Sequence, residues 1–144
     1  MRNLAEETIL LPIDVKKVYS LLSKLKNYSK LLSAHTSDWK FDGDVCSFIY
    51  DNSTPTKLKM YESIKNEKIV IGTYGSNSME FDMEFLMFGV DKRRTNFKMV
   101  IKADLNPVMA SMVSSSMEEL MKDFVYAMKN ELGLPDKTKQ KKQS

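Results

Sequence analysis

NPVMASMVSSSMEELMKDFVYAMKNELGLP, residues 106 to 135, decides the fold, because both ends of a helix are written into it. The side chain of Asn106 can cap a first turn, and Pro107 suits the first helical position, where its missing N–H costs nothing. Gly133 and Pro135 end the helix again. Between these signals Met109, Met112, Val113, Met117, Leu120, Met121, Phe124, Met128 and Leu132 recur at steps of three and four, which predicts one wide apolar stripe. Ser111, Ser115, Glu118, Glu119, Lys122, Lys129 and Asn130 fall on the opposite side. At a rise of about 1.5 Å per residue such a helix is roughly 39 Å long, so it needs a long apolar partner.

Working back toward the N-terminus, residues 37 to 103 supply that partner. Their hydrophobic period is two, and turn signals at Asp42-Gly43-Asp44, Asp51-Asn52-Ser53, Lys65-Asn66-Glu67, Gly75-Ser76-Asn77 and Asp91-Lys92-Arg93 divide them into antiparallel strands. In the last two strands Phe81, Met83, Phe85 and Met87 alternate with Glu80, Asp82, Glu84 and Leu86, and Thr95, Phe97, Met99, Ile101 and Ala103 with Asn96, Lys98, Val100 and Lys102, so one face is apolar and the other mostly charged. Closing that hairpin with Val90 opposite Arg94 predicts Asp82 opposite Lys102 on the wet face and Phe85 opposite Met99 on the dry one. Met79 to Val90 spans roughly 40 Å at about 3.4 Å per residue, which matches the helix. Ahead of the sheet, Ala5 to Leu11 reads as a first strand ended by Pro12. Asp14 then caps a helix whose face is Val15, Val18, Tyr19, Leu22 and Leu25, and residues 28–33 form a short second helix. The predicted class is α+β in the order β-α-α-β6-α: an antiparallel seven-stranded sheet curved around the long helix. Residues 1–134 form a single domain, and 135–144 form a flexible basic tail.

Composition narrows the function. A chain of 144 residues buries a sizeable core without metal or disulfide, and the lone Cys46 excludes an internal bridge. No stretch approaches the roughly 18 apolar residues of a membrane span, and Glu6 and Glu7 interrupt the N-terminal segment where a signal peptide would be apolar. A cytoplasmic protein is expected. The net charge of +3 is carried by Lys137, Lys139, Lys141 and Lys142 against Asp136, which leaves residues 1–135 balanced. That balance argues against nucleic-acid binding, and the lysines of the first helix have no aromatic platform among them.

Leu11-Pro12-Ile13-Asp14-Val15-Lys16-Lys17-Val18-Tyr19 leading to Leu22-Ser23, and Ala103-Asp104-Leu105-Asn106-Pro107 entering the last helix, carry a family resemblance. With the element order, they make the chain resemble the START-like, or helix-grip, superfamily (SRPBCC), which includes birch pollen allergen-like proteins, lipid-transfer domains and polyketide cyclases. The resemblance implies a curved sheet gripping the C-terminal helix around an apolar cavity. It implies no particular reaction.

The candidate residues follow. Phe48, Met60, Phe81, Met83, Phe85, Phe97, Met99, Met117, Met121 and Phe124 are expected to line the cavity for a small hydrophobic ligand, with Glu62 and Tyr50 as polar contacts. Glu62 is singled out because strict alternation with Leu58, Met60 and Ile64 turns its carboxylate inward. The methionines, eleven in all, suit a loosely defined apolar guest. A strongly twisted sheet cannot follow a straight helix throughout, so the middle of the contact is expected to gape. His35, the only histidine, is read as a rim residue without a catalytic role, and Cys46 as a small buried thiol. With no second histidine, no metal site or cofactor is expected. A cyclase-like enzyme is the second reading. A protein-interaction module, with Leu86, Phe88 and Val100 as an exposed patch, is the third, and a weak homodimer is conceivable.

Overall fold

The computed structural model describes residues 2–52, 54–75 and 80–135. Along the chain run β1 (Arg2–Leu11), α1 (Val15–Leu22), a 3₁₀ turn (Leu25–Asn27), α2 (Tyr28–Leu31), β2 (Thr36–Asp42), β3 (Val45–Tyr50), β4 (Thr54–Ile64), β5 (Lys68–Thr73), β6 (Phe81–Asp91), β7 (Arg94–Ala103) and α3 (Pro107–Glu131). The strands form one antiparallel sheet in the order β1-β7-β6-β5-β4-β3-β2, and α3 packs along its concave face, closest to β1 and β7. This is the predicted α+β helix-grip architecture. Of the expected basic tail, residues 135–144, residues 136–144 lie outside the described residues.

The predicted helix ends hold atom by atom. Asn106 Oδ1 accepts from the Met109 N–H at 2.9 Å, Pro107 opens the helix, and Gly133 adopts the left-handed φ of +74° past its end. Asp14 caps α1 in the same way, accepting from Lys16 N–H at 3.0 Å. The close approach of α1 to the sheet requires Gly89 on β6. A Cβ there would stand 3.1 Å from Val15 Cγ1. Thr95 Oγ1, fully buried, donates to Ile13 O at 2.8 Å and ties the strand–helix link to β7.

The predicted hairpin register is also present: Asp82 pairs with Lys102 and Phe85 with Met99. At its tip a bulge at Val90 brings Asp91, in place of Val90, opposite Arg94. The ion pair formed by Lys102 is nevertheless with Glu84, at 2.6 Å.

The apolar stripe of α3 is narrower than the sequence pattern suggests. Ala110, Met117, Leu120, Met121, Phe124, Val125 and Met128 are buried, whereas Met109 and Met112 are 49% and 75% exposed. The helical positions of Met109 and Met112 rotate them away from the line through Ala110 and Met117. On the convex face, Phe88 is exposed and Leu86 half-buried, but Val100 is buried on a face where Glu6 pairs with Lys98 and Glu84 with Lys102. Leu10 and Val90, both exposed, replace Val100 in the apolar patch, and a dimple of about 180 Å³ lies beside Phe88.

Candidate ligand site on the concave face

Directly opposed residues in an antiparallel sheet share a face, so the pairing fixes which side chains face α3. The row Glu7–Met99–Phe85–Ile69 crosses the middle of that face, and the row Ala103–Phe81 crosses its end, where α3 begins. In the middle, sheet and helix meet. The Phe85 ring lies 5.2 Å from that of Phe124, and Tyr28 from α2 closes over both at 6.2 and 6.1 Å. The Phe97 ring lies 6.1 Å from that of Phe85 at an interplanar angle of 23°. The expected gape is therefore not in the middle of the contact, because the rings of Phe85, Phe97, Phe124 and Tyr28 fill it.

Cover over the concave face is uneven. Of the predicted lining, Phe48, Met83, Phe85, Phe97, Met99, Met117, Met121 and Phe124 are all 5% exposed or less, while Tyr50, Met60 and Phe81 are only half-buried. At Phe81, in the row where α3 begins, the nearest residues of α3 explain the looser cover; Met60 instead shares the row of buried Met83, and Tyr50 lies beside His35, which bonds Asp123 in the second half of α3. Its buried line starts with Ala110, continues through half-buried Val113 and Ser114, and reaches large side chains only at Met117.

Glu62 departs from its predicted place. A bulge between Met60 and Glu62 resets the alternation of β4, so that Glu62 pairs with Val70, itself opposite Glu84 on the convex face. The carboxylate lies 3.5 Å from Lys68 Nζ. The inward carboxylate is instead Glu7, opposite fully buried Met99. Its Oε2 is shielded from solvent and has no hydrogen-bond partner among the described residues.

His35 joins three elements at the rim. Its Nε2 is 2.7 Å from Asp123 Oδ2 on α3, its Nδ1 is 3.8 Å from Asp51 on the β3–β4 turn, and its ring stacks on Tyr50 at 6.3 Å. Burial, then the charges of Asp51 and Glu119, raise the pKa of Tyr50, so its phenol is a neutral hydrogen-bonding group at ordinary pH. Burial also pushes the Cys46 thiol up to about 11, which removes the thiolate a nucleophile would need. Among the described residues no group of three or more His, Cys, Asp or Glu side chains could hold a metal ion, and no helix is long and apolar enough to cross a membrane.

Sequence alternation missed two lining residues, Trp39 and Phe41. The register of β2 against β3 shifts between Ser37 and Lys40, and Asp38 there has a left-handed φ of 56°. Thr36 opposite Tyr50 and Phe41 opposite Cys46 then both face inward, with Trp39 stacked on Phe48 between them. The signal available in the sequence was the pair Ser37-Asp38, residue types that tolerate turns inside a strand.

Curved sheet and long C-terminal helix together define the helix-grip fold. No family model and no curated protein sequence matches the chain. Solved structures do share its fold. A norcoclaurine synthase point mutant from Thalictrum flavum, in complex with a transition-state analogue, superposes with a TM-score of 0.70 at 9% identity, covering 86% of this chain and 89% of that one. A conserved protein from Geobacillus kaustophilus gives 0.72 at 12% identity, covering 89% and 93%. An aromatase/cyclase from a Streptomyces species gives 0.66 at 14% identity, covering 88% and 91%.

Proposed function

We propose that the chain binds a small hydrophobic molecule, lipid-like, polyketide-like or aromatic, between the sheet and the first half of α3, without catalysing a reaction on it. The observation that carries this reading is the unequal cover of one sheet face: Phe81 and Met60 are half-buried where the same strands bury Met83, Phe85 and Leu58. Apolar surface facing a concave wall of small helical residues is the surface that a hydrophobic guest would cover. Phe48, Met60, Phe81, Met83 and Met117 then form the apolar lining, and Tyr50, beside His35 and Asp123 at the far edge, supplies the polar contact. Phe85, Phe97, Met99, Met121 and Phe124 serve as the closed floor. Glu62, on the convex face, takes no part. The synthase bound to its analogue supports the reading to this extent: the same fold holds a small molecule in that protein.

The absence of catalysis rests on the rim chemistry. His35 is read as a structural link, its Nε2 tied to Asp123 on α3 and its ring stacked on Tyr50, and Cys46 is a neutral thiol rather than a nucleophile. Native mass spectrometry of freshly purified protein, followed by titration with the fluorescent fatty acid cis-parinaric acid, tests the proposal. Saturable binding that weakens in Met60→Trp supports it. No binding in the parent, or a turnover that is lost in His35→Ala, would overturn it.

A further inference from the structure

At the β2 edge of the concave face, three rings form a stair from interior to surface. Phe48 is 3% exposed, Trp39 is half-buried and Phe41 is 45% exposed. Trp39 lies 4.3 Å from Phe48 at an interplanar angle of 20°, and 5.8 Å from Phe41 at 18°. All three planes are close to parallel. The middle ring is held in orientation by a relay: Trp39 Nε1–H donates to Thr36 Oγ1 at 2.8 Å, and Thr36 Oγ1 donates to Leu32 O at 2.7 Å.

The backbone spends conformational strain on this arrangement. Without the bulge at Asp38, strict alternation from Thr36 would point Trp39 and Phe41 to the convex side. The extra residue, in the left-handed region at φ 56°, turns both rings inward. Bulges that re-aim side chains, and non-glycine residues at positive φ, gather where function needs a side chain in an unusual place. An edge strand could shed two aromatic rings to solvent or replace them. Here it turns them toward the concave space and fixes one with hydrogen bonds.

We infer that Trp39 and Phe41 form an aromatic platform on which the ligand stacks a planar aromatic ring. This rests on the reading of the concave space as a ligand site and narrows it from hydrophobic molecules in general to those bearing an aromatic system. The 45% of Phe41 left exposed at the end of this stack can accept another ring in offset stacking, a gain that an alkyl chain of equal area does not receive.

Trp39 is the only tryptophan, so its fluorescence reports this site alone. The test titrates the protein with 2-naphthol and with 1-decanol, following Trp39 emission and displacement of cis-parinaric acid. Saturable quenching of Trp39 by 2-naphthol is expected, with affinity lowered about two- to ten-fold in both Phe41→Ala and Phe41→Leu, the range that aromatic pairing energies correspond to. The leucine variant keeps apolar area without a ring and guards against a loss of folding in the alanine one. Binding of 1-decanol should change less than about two-fold in Phe41→Leu. If cis-parinaric acid binds but 2-naphthol neither quenches Trp39 nor depends on Phe41, the platform is refuted while the hydrophobic site stands. If no probe binds, both readings fall.

Discussion

Phe81 and Phe85 stand on the same face of the same strand, four residues apart, in different surroundings. Phe85 is fully buried between Phe97 and Phe124, whereas Phe81 is half-covered. What separates them is the helix above. The inward positions of α3 change from Ala110, Val113 and Ser114 to Met117, Met121 and Phe124, so one element closes the core at its far half and leaves it loose at its near half. On the proposed function, stability rests on the far stretch of these two walls and binding on the near one.

The largest expected effect separates the two phenylalanines. Phe85→Ala should cost about 3 to 5 kcal/mol by urea denaturation, because the floor of stacked rings cannot collapse into the space left behind. Phe81→Ala should cost only about 1 kcal/mol, since much of its transfer free energy is not realised in the folded state. Equal losses at both positions would mean that the concave end is as tightly packed as the centre.

A second contrast concerns the carboxylates of Glu7 and Glu62. Glu7 faces the helix with one oxygen shielded from solvent and without a hydrogen-bond partner among the described residues, and replacing it with methionine should raise stability by about 1 kcal/mol as the unsatisfied acceptor disappears. Glu62→Met, on the convex face, should stay within about 0.5 kcal/mol of the parent. Destabilisation by Glu7→Met would point to a partner that this carboxylate holds.

The smallest effect is one of pH. Burial raises the Cys46 thiol from 9.0 to about 11, so the folded state keeps the proton that the unfolded chain loses. Its contribution is fully present below pH 9.0 and is lost as pH rises through about 11. The fully buried phenol of Tyr28, also raised by burial, acts in the same direction at still higher pH. Denaturation midpoints should therefore fall across this window, and Cys46→Ala should remove part of the fall.

Long-period patterns were legible in the sequence, and local breaks in them were not. The ends of α3, the cap at Asp14 and the register of β6 against β7 follow from residue type and spacing, because each rests on backbone chemistry that neighbouring residues supply. Glu62, Trp39 and Phe41 were misplaced or overlooked for one shared reason. A single inserted residue flips every later side chain of a strand, and neither the bulge in β4 nor the one at Asp38 carries a glycine to announce it. Position within the fold also hid the closure of the centre, since Tyr28 reaches Phe85 and Phe124 from a helix far from both in sequence.

Methionine methyls sample both halves of the concave face, which makes them the most direct witnesses to where a ligand goes. Carbon-13 methyl spectra of the methionine-labelled protein, recorded while sodium dodecanoate is added, should show Met60 and Met117 shifting in a saturable manner, while Met87, Met99 and Met128 hold their positions. Shifts confined to Met87, Met99 and Met128, or no saturable shift at any methionine, would contradict a ligand site at the loosely covered end.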